Sequence, residues 1–141
     1  ALGAKPILFA VVGVDEAAPK LLAELKKRGV STMGVIVDKS RPTTQKTRVV
    51  ARNQQLVRID REKTDYIDKK IEDKILAIFV RQIKSFDGVA ISDYTKGFIT
   101  KRLASEILAI ANKYKKPVIV DTKPKHALFF RNFTLIKTFC W

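Results

Sequence analysis

The chain has 141 residues, 46% hydrophobic and 30% charged, which excludes a disordered or fibrous protein and predicts one globular domain over residues 1–141. Its longest apolar runs have the length of strands, which argues against a membrane-spanning helix or a secretory signal and favours a cytoplasmic protein. The single cysteine, Cys140, excludes an internal disulfide and a thiolate metal cluster within one chain.

The net charge of +14, from 28 basic and 14 acidic side chains, raises the question of a nucleic-acid or anionic-membrane partner. The basic residues are spread along the whole chain, without a basic arm, a zinc pattern or a run that mixes basic and aromatic residues. This distribution favours solvated faces together with an anionic small substrate. Nucleic-acid binding is therefore the less favoured alternative.

The first third of the chain predicts a strand, a helix and a second strand. Residues 7–12 form a continuous apolar run, which is typical of a strand buried on both faces of a parallel sheet. Asp15 is placed to cap the following helix, and Gly29 stands where a helix often ends. A second short strand over residues 33–37 completes a βαβ unit.

Residues 41–60 interrupt this alternation with two strand-like stretches and no helix between them. Alternation over residues 46–52 places Lys46, Arg48, Val50 and Arg52 on one face of the first stretch, and the second stretch covers residues 56–60, which indicates a β-hairpin with a charged face. Such a hairpin covers a site or pairs with a partner subunit, or is simply a solvated surface feature. The residues alone leave both readings open.

The second half of the chain returns to alternating strands and helices. Apolar residues at helical spacing predict one helix over residues 67–83 and another from about 100 to 114. Short apolar runs predict strands over residues 89–91, 118–120 and 133–136. The whole pattern predicts an α/β fold with a mainly parallel, Rossmann-like sheet flanked by helices.

Polar groups follow two of these strands at the positions where ligands bind in open parallel sheets. Asp93 and Lys96 follow the strand over 89–91, and Asp121 and Lys123 follow the strand over 118–120. A carboxylate can hold a magnesium-bound water or a hydroxyl, and a lysine can neutralise phosphate oxygens. The arrangement suggests phosphoryl chemistry, although these residues would also suit capping and solvated roles.

Other catalytic devices are absent from the sequence. It contains no Walker phosphate loop, and residues 13–15 do not form the three-glycine dinucleotide fingerprint. His126 is the only histidine, and no nucleophile or carboxylate lies at motif spacing from it. It is therefore predicted to lie on the surface.

Three segments together resemble a known family. Residues 43–60 read TTQKTRVVARNQQLVRID, residues 92–97 read SDYTKG and residues 120–123 read VDTK. Their sequence, order and spacing are similar to those of the bacterial heptose 7-phosphate kinases, which form the kinase part of bifunctional ADP-heptose synthase. These belong to the ribokinase-like, or phosphofructokinase B, sugar kinases. The resemblance extends from about residue 1 to residue 136.

The resemblance implies ATP- and magnesium-dependent phosphorylation of the C1 hydroxyl of D-glycero-β-D-manno-heptose 7-phosphate, a step toward lipopolysaccharide core synthesis. It implies that the hairpin over residues 41–60 acts as a lid and joins two subunits into a homodimer. The substrate contacts implied are Lys46, Arg48, Arg52, Arg58 and Asp93. The residues implied on the phosphate and nucleotide side are Lys96, Lys123 and Asp121.

The chain also departs from the family pattern. The family's Gly-Gly-Ala-x-Asn sugar-binding segment and its catalytic Gly-Ala-Gly-Asp segment are not found, and Thr122 stands where proline is usual. The resemblance thus implies a central fragment of an incomplete ribokinase-like fold. No catalytic or metal-ligating residue is assigned, tight binding of ATP and magnesium is not expected, and this chain alone is expected to be inactive. Alternatives are a non-catalytic dimerising protein, an anion-binding remnant or another sugar kinase of the family.

Overall fold

A computed structural model describes residues 3–138, so Cys140 lies outside the described residues. The chain divides into two compact units, residues 1–63 and 64–141. The assignment of all 141 residues to one domain stays a prediction. Each unit is built from strands and helices that the sequence predicts.

The first unit begins with the predicted βαβ segment, formed by β1 (Ile7–Val12), α1 (Ala17–Lys27) and β2 (Ser31–Val37). Strands β1 and β2 pair in parallel. Oδ1 of Asp15 accepts hydrogen bonds from the backbone N–H groups of Ala17 and Ala18, both at 3.2 Å. These bonds satisfy donors that the first turn of a helix leaves unpaired, as predicted for Asp15.

The loop before the hairpin is held closely against the end of β1. The backbone N–H of Thr43 donates to Oδ2 of Asp15 at 2.8 Å, and the Thr43 hydroxyl accepts from the N–H of Gly13 at 3.0 Å. The hydrogen bond from the Thr43 backbone is the main reason that the pKa of Asp15 is lowered. A Cβ at Gly13 would lie 2.7 Å from the Thr43 nitrogen, so the approach requires glycine.

The predicted hairpin is formed by β3 (Gln45–Ala51) and β4 (Gln54–Arg61), which pair antiparallel. Arg52 and Asn53 form its two-residue turn with φ angles of 48° and 65°. Positive φ at both central residues characterises the type I′ turn, whose twist suits two antiparallel strands. The hairpin prediction for residues 41–60 is confirmed: β3 begins and ends one residue before the predicted 46–52, and β4 extends beyond the predicted 56–60 at both ends.

The second unit contains α2 (Lys69–Gln82), β5 (Val89–Asp93), α3 (Lys101–Lys113), β6 (Val118–Thr122) and β7 (Leu135–Thr138). The three strands form a parallel sheet in the order β5-β6-β7. A short 3-10 helix, Pro124–Phe129, follows β6. The buried core includes the apolar stripes predicted for the two helices, at Ile67, Ile71, Ile75, Phe79, Ile83, Leu103, Ile107, Leu108 and Ala111.

The predicted α/β class is confirmed, because both units combine parallel strands with helices and the antiparallel hairpin is the excursion that the sequence indicates. Among residues 3–138, no helix is both long enough and apolar enough to cross a membrane.

Candidate functional site

The carboxyl ends of β5 and β6 bring the two predicted polar groups side by side. Asp93 is paired in register with Thr122, and Ser92 with Asp121. Neighbouring residues along a strand point to opposite faces of a sheet. Asp93 and Thr122 therefore share one face, where both are buried, whereas Ser92 and Asp121 share the other, more exposed face.

Asp93 lies on the inner face with 4% of its surface exposed. Its Oδ1 accepts from the backbone N–H of Thr95 at 2.9 Å, and its Oδ2 accepts from the Thr122 hydroxyl at 3.1 Å and from Nδ1 of His126 at 2.7 Å. A buried carboxylate is costly unless hydrogen bonds compensate it, and these bonds do so. The Asp93 carboxylate thus holds the end of β5 to the segment after β6.

The prediction that His126 lies on the surface is wrong. Only 3% of the residue is exposed, and its ring stacks on Phe129 with a centroid separation of 4.4 Å. No partner was found at motif spacing because the partner of His126, Asp93, lies 33 residues earlier in the chain. The 3-10 helix turns back after β6, with the His126 N–H donating to the Lys123 carbonyl at 3.0 Å, and this brings the ring to Asp93.

The exposed side of the same strand ends carries cationic and aromatic groups. Nζ of Lys123 lies 5.7 Å from the centroid of the Tyr94 ring, a separation suited to a cation–π interaction. Tyr94 is 58% exposed, and Lys96 follows it on the same loop with its side chain also exposed. The half-buried Asp121 lies on β6, two residues before Lys123. This group offers cationic and hydrogen-bonding contacts to a phosphate.

The loop over residues 93–97 has an unusual backbone. Thr95 has a φ of 57° and Gly97 a φ of 79°; the left-handed conformation is strained for a β-branched residue such as Thr95. The Gly97 carbonyl accepts from the N–H of Ile67 at 2.9 Å, which ties this loop to the segment before α2. Strained backbone of this kind persists only where surrounding contacts hold it.

The basic residues predicted on the hairpin divide into two kinds. Lys46 and Arg58 form ion pairs with Asp60, at 3.2 and 3.1 Å. The hydrogen bond from Lys46 is the main reason that the pKa of Asp60 is lowered. Arg48 extends from the same face as Arg58, its cross-strand partner, while Arg52 occupies the exposed turn. Substrate contact by any of these residues stays a prediction.

The sequence did not predict two side chains that join Asp93 in one hydrogen-bonded group, the buried His126 and the exposed Tyr66. The Tyr66 hydroxyl lies 3.0 Å from Nε2 of His126. Tyr66 precedes α2 by three residues and carries no motif, so nothing in the sequence joins it to the strand ends. The apolar residues after His126 were the one available signal that the ring is buried.

Comparison with known proteins identifies the family of the chain. The family model described as pfkB family carbohydrate kinase matches residues 1–136. The chain belongs to this family. The prediction made from the three sequence segments is therefore confirmed at the level of the carbohydrate kinase family.

Curated relatives of this pfkB member are bifunctional proteins named HldE. The protein from Helicobacter pylori strain J99 is 39% identical over 135 residues, and that from Geobacter metallireducens is 43% identical over 136 residues. The match covers 96% of this chain but only 29% and 28% of those two proteins. The chain thus spans less than a third of the length of the relatives it matches.

Solved structures show the same fold at lower sequence identity. A possible 1-phosphofructokinase from Thermotoga maritima superimposes with a TM-score of 0.78 at 16% identity, covering 98% of this chain and 44% of that one. A putative ribokinase from Agrobacterium tumefaciens gives a TM-score of 0.61 at 23% identity, covering 86% of this chain and 36% of that one. Both likenesses support a part of the ribokinase-like fold.

Proposed function

We propose that the chain is the central part of a heptose 7-phosphate kinase, which transfers the γ-phosphate of ATP to the C1 hydroxyl of D-glycero-β-D-manno-heptose 7-phosphate. The observation that carries this proposal is the 39–43% identity to HldE proteins from two distant bacteria over 96% of the chain. The bifunctional proteins are much longer, so the proposal concerns the contribution of this part to the activity. We place that activity in the cytoplasm.

The phosphate side of the proposed site is the exposed end of β5 and β6. We propose that Lys96 and Lys123 contact phosphate oxygens, since an ammonium group offers charge and several donors to an anion. Tyr94 lies against Lys123 and restricts where its ammonium can go. Asp121 would accept hydrogen bonds from the nucleotide side, whereas Asp93, whose oxygens already accept bonds within the protein, would act mainly by shaping the loop.

On the first unit, we propose the charged face of the hairpin as the surface that contacts the sugar phosphate. Asp60 holds Lys46 and Arg58 in place, so that their side chains would lose less freedom when a ligand binds. Arg48 adds a further charge on this face, and Arg52 projects from the turn. An arginine can bind a phosphate through two parallel hydrogen bonds, which suits a sugar 7-phosphate.

The described residues suit binding of the phosphates of magnesium–ATP rather than direct ligation of the metal ion. Residues 3–138 contain no cluster of three or more histidine, cysteine or carboxylate side chains that could hold a metal ion. Magnesium is commonly bound by one or two carboxylates together with substrate phosphates and waters. When bound, magnesium–ATP supplies the phosphoryl group, and Lys96 and Lys123 of this chain would hold its phosphate oxygens.

Replacing Lys123 tests the phosphate side directly. We expect Lys123→Ala to weaken binding of ADP by about tenfold, because it removes one charge-assisted contact to a phosphate. Lys125→Ala is the matched control: Lys125 is an exposed lysine two residues further along, and its loss should change the affinity less than about twofold. Isothermal titration calorimetry measures both; equal affinities of the two variants would contradict the assigned role of Lys123.

We also propose that the hairpin joins two copies of the chain. Cross-strand pairing puts Val49 opposite Val57 and Thr47 opposite Ile59, so these side chains share the face away from Lys46 and Asp60. The three apolar members are 42%, 46% and 57% exposed. In a twofold dimer the same surface of each copy packs against the other. The apolar face of the hairpin would therefore pack against the same face of a second copy.

Val57→Lys tests this homodimer. We expect the unchanged chain to sediment as a dimer, and a lysine at the centre of the apolar face to raise its dissociation constant by about 100-fold, or about 3 kcal/mol. Val14→Lys is the matched control, because Val14 is also an exposed valine, at 69%, but lies outside the hairpin. Analytical ultracentrifugation distinguishes the states, and a monomeric unchanged chain would refute the dimer.

A further inference from the structure

A chain of polar side chains runs from Asp93 and His126, which are 4% and 3% exposed, to Tyr66, which is 51% exposed. The Asp93 carboxylate accepts from Nδ1 of His126 at 2.7 Å, and Nε2 of the same ring lies 3.0 Å from the Tyr66 hydroxyl. Nδ1 is the donor to Asp93, because a carboxylate accepts hydrogen bonds, and Nε2 is the ring atom that pairs with the phenol. One imidazole thus contacts both neighbours at once.

The His126 ring has little freedom to change this arrangement. The residue is 3% exposed, and its ring contacts those of Phe129 and Tyr66, with centroid separations of 4.4 and 6.0 Å. Ring planes within 17° of Phe129 make this a stacked contact. Rotation of the ring would break hydrogen bonds to two residues at once, so the packing fixes its direction.

The ring connects the pieces of chain that carry the proposed phosphate contacts. Its Nδ1 bonds to Asp93, and Asp93 accepts a hydrogen bond from the backbone N–H of Thr95, the residue before Lys96. Through its own backbone N–H, His126 is bonded to the carbonyl of Lys123 at 3.0 Å. The two lysines are therefore attached to a common anchor, although they come from loops after different strands.

We propose that His126 is a positioning residue: its imidazole, between Asp93 and Tyr66, holds the 93–97 loop in place and so sets the relative positions of Lys96 and Lys123. The predicted effect of His126 on phosphate binding rests on the proposed function. Its effect on the loop is a property of the free chain and is tested separately. The chemical class of ligand concerned is the phosphate of a nucleotide.

Three variants separate the parts played by the ring. His126→Phe keeps the aromatic stacking on Phe129 and removes both hydrogen bonds. His126→Asn retains an N–H donor near the position of Nδ1 and removes the ring nitrogen that pairs with Tyr66, and Tyr66→Phe removes only the phenol oxygen. If the hydrogen bond to Asp93 positions the loop, His126→Phe should disturb the loop most. The other two substitutions should disturb it much less.

The first measurement is amide hydrogen exchange in the free chain. We expect exchange at the Thr95 N–H to accelerate about tenfold in His126→Phe, the loss of roughly one hydrogen bond, and less than about threefold in His126→Asn and Tyr66→Phe. Exchange at Val120, in the core strand β6, should stay unchanged in all three folded variants. Unchanged exchange at Thr95 in folded His126→Phe, or equal acceleration in His126→Asn, would overturn the positioning role.

The second measurement is the affinity for ADP. We expect His126→Phe to weaken ADP binding about tenfold and His126→Asn to restore most of it. Equal binding by the unchanged chain and His126→Phe would overturn the inference while leaving the proposed function in place. Failure of the unchanged chain to bind ADP would instead refute the phosphate site, and exchange at Thr95 would still decide whether His126 positions the loop.

Discussion

Gly97→Ala is expected to destabilise the second unit by about 3 kcal/mol or more, because the new methyl group has no space and the backbone conformation disfavours it. A Cβ at Gly97 would overlap the carbonyl oxygen of Asp65 and lie 2.7 Å from that of Thr64. Both obstacles are backbone atoms, which cannot rotate away as a side chain can. The φ of 79° adds the cost of the left-handed region.

Gly29→Ala provides the control for the conformational part of this effect. Gly29 has a similar φ of 71°, but a Cβ there meets nothing within 4 Å, so its substitution should cost only about 1 kcal/mol. Urea unfolding, with hydrogen exchange to report on each unit separately, measures both variants. Equal losses of unfolding free energy at the two positions would show that residues 64–65 do not pack closely against Gly97.

Glu72→Ala is expected to cost the second unit about 3 kcal/mol, because Glu72 is a buried carboxylate that joins α2 to the start of α3. It is 5% exposed and accepts from the Thr100 hydroxyl and, at 2.6 Å, from Arg102. Thr100 in turn caps α3 by accepting from the N–H of Leu103 at 3.0 Å. Truncation leaves a buried hydroxyl without its acceptor as well as a cavity.

Asp73→Ala is the matched control, since Asp73 binds the other nitrogen of the same guanidinium at 2.6 Å but its side chain is 51% exposed. Glu72 first and Asp73 second raise the pKa of Arg102, so the cation is present at all working pH values. An exposed pair contributes little, and the loss for Asp73→Ala should stay below about 1 kcal/mol. Thermal unfolding that shows equal losses for both substitutions would contradict the role given to Glu72.

The sequence predicted the elements of this protein well because their signals are local. The stripe from Ile67 to Ile83 follows the helical period, and the paired charges and apolar residues of the hairpin follow the period of a strand. Such patterns record which side of an element faces the core. They hold in both units, where the predicted strands and helices differ from the observed ones only near their ends.

The strand-end cluster was predicted only in part because its contacts join distant residues. Asp93 and Asp121 were grouped from their positions after strands, yet strand register puts them on opposite faces of the sheet. His126 was misplaced because its burial depends on a turn after β6 and on Tyr66, which lies 60 residues earlier. Sequence periodicity carries no information about such pairings. They are set by the register of the parallel strands and by the 3-10 helix after β6.

The most direct test of the proposed kinase site is to map two ligands onto the chain by nuclear magnetic resonance. In the isotope-labelled protein, ADP is expected to shift amide signals of residues 93–97 and 121–123, at the ends of β5 and β6. D-glycero-β-D-manno-heptose 7-phosphate is expected to shift signals of the hairpin strands β3 and β4. Shifts confined to other parts of the chain, or no shifts with either ligand at millimolar concentration, would contradict the assignment.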